Sequence, residues 1–105
     1  MIPLKTIEEL ISKHTLLEKE LSSGETDKKQ FADKSKEYSD LNEIIEDAKK
    51  YYGYENEKKE LEKILEDDGS DGEFKTMAET ELSQLKENHE IIEKKLKLFL
   101  LPKDE

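Results

Sequence analysis

Apolar residues recur at every third or fourth position in three runs of this sequence, and two short glycine-bearing stretches separate the runs. That spacing lays one apolar stripe along each of three helices, a stronger constraint on the fold than composition alone. In the first run, residues 4–22, the stripe is Ile7, Leu10, Ile11, His14, Leu17 and Leu21. Pro3 suits a helix entry, and Thr6 with Glu9 reads as a capping box. Gly24 in "SSGETD" is the expected left-handed cap. The second run spans residues 27–66, with Asp27 and Gln30 placed to cap its start and a stripe of Phe31, Tyr38, Leu41, Ile45, Ala48 and Tyr52. The third covers residues 73–100 through Phe74, Ala78, Leu82, Leu85, His89, Ile92, Leu96 and Phe99; Ser70 and Glu73 offer a cap, and Pro102 a stop. Short connections make neighbouring helices antiparallel. The expected fold is all-α: an antiparallel bundle of three amphipathic helices, coiled-coil-like, forming one domain over residues 1–105.

Composition fits a slim bundle. The apolar share is 32% and the charged share 44%, which leaves too little for a large two-layer core but enough for one stripe per helix. Such a composition also suits disorder, but the periodicity argues against it for most of the chain. The net charge is −10 and all 18 basic residues are lysines. Without arginine's planar fork and with an acidic balance, a stand-alone nucleic-acid binder is not expected, and DNA is excluded as a partner. A lysine-biased composition explains the missing arginine equally well. There are no cysteines, which removes disulfides and thiolate chemistry and fits a cytoplasmic protein. No apolar run approaches the ~20 residues of a membrane span, and the N-terminus lacks a signal-peptide pattern.

The stretch "KKYYGYEN", residues 49–56, interrupts this regularity with Tyr51, Tyr52, Gly53 and Tyr54. From Tyr52 to Leu61 the helix turns by about 900°, a half turn off the starting face, whereas Tyr54 lies within about 20° of Leu61. The apolar stripe therefore changes sides here. Either one continuous helix changes its packing partner, or the chain bends at Gly53, where helix costs about 1 kcal/mol more than with alanine. We read Tyr51, Tyr52 and Tyr54 as a packing switch between two neighbours, with Gly53 easing a bend; the rival reading is an aromatic docking patch.

No catalytic or cofactor-binding constellation is visible. His14 and His89 sit on the stripes of different helices and could face each other, but no His-x-x-x-His or Glu-x-x-His set accompanies them, so buried neutral histidines are expected rather than metal ligands. Carboxylates alternate with lysines, as in "ENEKKELEKILEDD", which describes a solvated helix face rather than a paired-carboxylate site. The four glycines are too dispersed for a phosphate loop.

Three short stretches, in order, resemble the N-terminal region of the bacterial class I peptide chain release factors: "SKEYSDL" (35–41), "MAETEL" (77–82) and "LLPKDE" (100–105). The last is the most specific and is closer to the release factor 1 branch. The resemblance implies a helical accessory domain of a translation terminator, set apart from the decoding and catalytic domains. It implies the ribosome, near its stalk base, as partner, with the GTPase release factor as a further one. The family's Gly-Gly-Gln and Pro-x-Thr motifs lie downstream of "LLPKD" and are not in residues 1–105, so no peptidyl-tRNA hydrolysis, decoding or catalytic residue is carried over. The expectation is the first domain of a longer protein, not an enzyme by itself. The alternative is a self-associating helical interaction module unrelated to translation, since apolar seams also pair between chains.

Overall fold

The computed structural model describes residues 1–24, 27–69 and 71–102. Three helices form in order: α1 (Leu4–Ser23), α2 (Lys28–Glu66) and α3 (Gly72–Leu100). Pro3 supplies the N-cap of α1, and its carbonyl accepts from the Thr6 and Ile7 amides. The expected Thr6–Glu9 capping box does not form, because the helix already begins at Leu4 and Thr6 lies inside its first turn. Gly24 closes α1 with φ 71°, the left-handed conformation that only a residue without Cβ takes at no steric cost. Asp27 does precede α2, but its side chain makes no cap bond; its carbonyl accepts from the Phe31 amide at 2.7 Å. Asp71 caps α3, its side chain accepting from the Glu73 amide at 3.4 Å. Ser70, half of the cap expected there, lies outside the described residues. No helix among the described residues is long and apolar enough to cross a membrane.

Both outer helices pack on α2; among the described residues, the backbones of α1 and α3 do not approach each other. Residue numbers fall along α2 as they rise along each neighbour, so both pairs are antiparallel. On the α1 side the contacts run from Glu20–Lys34 through Lys13–Glu37 to Glu8–Tyr52. On the α3 side they run from His89 against Tyr54 to Glu93 against Tyr51. The core gathers where all three helices run abreast: Ile7 and Leu17 from α1, Leu41, Ile44, Ala48 and Tyr51 from α2, Ile92 and Leu96 from α3. Ile2, ahead of α1, is buried there as well. Each large aliphatic side chain removed from water at this point contributes about 1.5–3 kcal/mol before entropy is counted.

Three expectations are corrected by this packing. Tyr52 is 45% exposed, and Tyr51, 3% exposed, takes the core position in its place. The buried α2 residues are Leu41, Ile44, Ile45, Ala48 and Tyr51, so the expected stripe is buried through Leu41, Ile45 and Ala48 and shifts by one residue only at its end, from Tyr52 to Tyr51. Phe31 and Phe74, expected on their stripes, are about half exposed at 46% and 50%, because each sits near an end of its helix pair where no third helix covers it. His14 and His89 do not face each other. His14 stacks on Tyr38 and bonds Asn42, whereas His89 stacks on Tyr51 and Tyr54, more than two turns further along α2.

Of the two arrangements open at the tyrosines, the uninterrupted helix is the one observed: α2 passes through Gly53 without a break. Its 39 residues amount to about 58 Å at ~1.5 Å per residue, close to the longest molecular dimension of 60 Å. A Cβ at Gly53 would meet no atom within 4 Å. Gly53→Ala is therefore expected to raise stability by about 0.5–1 kcal/mol in urea unfolding. A loss of stability would mean that the helix does not run through this position unstrained.

Candidate functional site: the aromatic junction

The residues singled out in the sequence meet different elements. Tyr51 reaches the N-terminal segment and α3. Its hydroxyl accepts a hydrogen bond from the Ile2 amide at 3.0 Å. Its own proton has two acceptors in range, Glu93 Oε2 at 3.3 Å and the Ile2 carbonyl at 3.4 Å, and can serve one at a time. Tyr52, one residue on, turns towards α1 and donates to Glu8 Oε1 at 2.8 Å. Tyr54 packs against α3, its ring 3.6 Å from that of His89, while Tyr51 stacks on the same imidazole at 4.7 Å. A histidine thus lies between two tyrosine rings. Its Nδ1 is buried with no hydrogen-bond partner among the described residues, and its Nε2 stands 3.7 Å from Glu93 Oε2.

Glu93 collects the charges at this junction. Lys97 Nζ lies 3.0 Å from Oε1, and the Met1 amino group 3.7 Å from the same oxygen. The Lys97 hydrogen bond is the main reason that the Glu93 carboxyl is held below the usual range; partial burial opposes it. The same bond raises Lys97. Tyr51 is pushed above the usual tyrosine value chiefly by burial; the Ile2 amide bond opposes this shift, and the negative Glu93 reinforces it. Tyr52 is raised by its hydrogen bond to Glu8. Sequence periodicity pointed to neither Ile2 nor Glu93. Ile2 lies outside any helical stripe, and Glu93 is one of many acids at ordinary helical spacing; only its i,i+4 relation to His89 and Lys97 sets it apart.

Chemically, the junction fastens helices together. A shallow cleft of about 200 Å³ beside it is lined by Lys50, Tyr54, Glu57, Leu85, Asn88, His89 and Ile92. Among the described residues, no three His, Asp or Glu side chains are placed to hold a metal ion. Exposed apolar side chains lie elsewhere, at Phe74 and Met77 near the start of α3 and at Ile91, Leu98 and Leu101 near its end.

The PCRF domain model matches residues 10–105. The chain belongs to the PCRF domain family. Over its full 105 residues it is 76% identical to the N-terminal part of "Peptide chain release factor 1" of Pelagibacter ubique (strain HTCC1062), covering 29% of that protein. Proteins of the same name are 37% identical over 97 residues in Alkaliphilus oremlandii (strain OhILAs) and 45% identical over 80 residues in Wolbachia pipientis subsp. Culex pipiens (strain wPip). These alignments cover 90% and 73% of this chain, and 27% and 22% of those relatives. No solved structure matches. This PCRF domain thus spans less than a third of the length of the curated relatives it matches, and the resemblance met in "SKEYSDL", "MAETEL" and "LLPKDE" extends over the whole chain.

Tyr51→Phe deletes the acceptor of a buried amide, and the expected loss is about 1–3 kcal/mol in urea unfolding. The native state holds the Tyr51 proton more tightly than the unfolded chain does. Its contribution is therefore whole below about pH 10 and is lost as pH rises through the raised native value. In alkaline titrations of stability, the wild type should fall more steeply than Tyr51→Phe above that pH. Parallel curves would show that the hydroxyl is not buried at the junction.

Proposed function

We propose that this chain is the N-terminal accessory domain of a peptide chain release factor and docks that factor on the ribosome beside the stalk base. The observation that carries the reading is the end-to-end identity of 76% with the N-terminal part of a release factor 1. The factor as a whole would end translation at stop codons in the cytoplasm; decoding and peptidyl-tRNA hydrolysis would belong to regions outside residues 1–105. The domain's own work is mechanical. An acidic helical body is repelled from bulk ribosomal RNA and drawn to lysine-rich ribosomal proteins. The GTPase release factor, acting nearby, is a second contact under this reading. Tyr51, Tyr52 and Tyr54 serve as the packing switch that passes α2 from α1 to α3 and so sets the direction of the far end of the helix.

A second reading is self-association. Its specific support is the exposure of Ile91 and Leu98 on α3 and of Leu101 just after it, at 53%, 70% and 60%. Sedimentation of the isolated chain across a concentration series separates the two, since a monomer at all concentrations removes this reading.

The primary test uses the full-length factor and a version lacking residues 1–100. Loss of the domain is expected to weaken ribosome binding at least severalfold while stop-codon dependence persists, and the isolated domain should release no peptide. Undiminished ribosome affinity after the deletion would overturn the docking role.

A further inference from the structure

α3 carries a second periodic stripe besides the one in the core. The large apolar side chains of α3 that are half exposed or more are Phe74, Met77, Ile91 and Leu98. All four fall on one alternating 3/4 repeat, which Glu81, Gln84, Asn88 and Lys95, also exposed, complete. That repeat, kept from residue 74 to residue 98, is the pattern of a seam between two helices. At 100° per residue it lies roughly 90° around α3 from the core stripe. α1 leaves it open. It meets α2 at Tyr52, about 160° around that helix from Lys50, and Lys50 borders the later half of the seam.

Shape and charge differ between the two halves. Beside the first half is a broad open hollow of about 720 Å³, whose lining includes Glu73, Met77 and Thr80. Beside the later half, clefts of about 200 and 210 Å³ share Lys50, Asn88 and Ile92 and so form one trough between α2 and α3. Residues 55–82, the end of the α2–α3 pair that holds the first half, have eleven acids and four lysines, a net −7. Tyr51 lies against Glu93 and Tyr54 against His89, so Lys49 and Lys50 stand level with Lys94 and Lys95 at the later half. Among the described residues, none of these four lysines has an ion pair within 4.0 Å.

We propose that this seam pairs two copies of the chain, α3 antiparallel to α3, about a two-fold axis beside Lys86. Such an interface is self-complementary, because each half of the seam meets the other half of the second copy. Phe74 then faces the second copy's Leu98, which enters the hollow beside Met77, and Met77 faces the stem of the second copy's Lys95. Next to the axis Gln84 faces the second copy's Asn88, and each amide can donate to and accept from the other. A polar pair at this place weakens the seam but fixes its register. The antiparallel sense also lays the acidic end of one copy along the unpaired lysines of the other, whereas a parallel pair would set acids against acids. The inference rests on the self-association reading above and gives it a surface and an orientation. It leaves the chain's place in a release factor untouched: a paired copy covers the first half of α3, and a single copy exposes it.

The test uses the 105-residue chain. In sedimentation equilibrium it should pass from monomer to dimer as concentration rises, less readily at high salt. Leu98 is 70% exposed, so Leu98→Glu should fold, as circular dichroism can check, and should dimerise at least tenfold more weakly. Orientation is read by disulfide trapping, since the chain has no cysteine of its own. Gln84→Cys and Asn88→Cys chains, mixed in equal amounts and oxidised with glutathione disulfide, should yield the mixed 84–88 crosslink above its statistical share. Crosslinks mainly between like variants, or a mixed product at no more than that share, overturn the antiparallel seam. A dimer that Leu98→Glu leaves intact refutes the seam while self-association stands; a monomer at every concentration refutes both.

Discussion

The Tyr51 hydroxyl ties together three segments, the residues ahead of α1, α2 itself and α3. It accepts from the Ile2 amide, and it lies within hydrogen-bonding reach of Glu93, which Lys97 in turn holds. A buried amide ahead of a helix has no partner within that helix, and leaving it unpaired is costly. The hydroxyl therefore fixes where the chain enters α1 relative to α2. Through Glu93 and the stacked His89 it fixes α3 at the same level of α2. The register of both helix pairs depends on this one level of the structure.

From that junction α2 extends in two directions with different company. Towards Lys28 it is accompanied by α1, and towards Glu66 by α3 alone. The core lies between, and the buried large side chains thin out towards the end of the α2–α3 pair that α1 does not reach, here called the arm, where Ala78 is the buried residue of α3. Stability in such an arrangement is not uniform: segments with few buried contacts open more readily than the core.

The number and type of elements were legible in the sequence because 3/4 spacing persists through each run, and Gly24 announced its own left-handed turn. The capping of α1 was less legible, since Pro3 and Thr6 both carry start signals three residues apart and only the packing of Ile2 decides between them. At the tyrosines, two adjacent aromatic positions compete: Ile44 and Ile45 are both buried, but of Tyr51 and Tyr52 only Tyr51 is. Single-helix periodicity does not say which faces the centre, because that depends on where the other helices lie. Glu93 was hidden for a similar reason: among 28 acids, its part comes from what α2 and Ile2 bring to it.

Native-state hydrogen exchange along α2 tests this account most directly. Amides of residues 41–54, beneath both neighbours and the Tyr51 junction, are expected to exchange only through the most costly openings. Those of residues 57–66 should exchange through cheaper openings, together with the facing first turns of α3. Equal protection along the whole helix, or greater protection in the arm than at the junction, would contradict it.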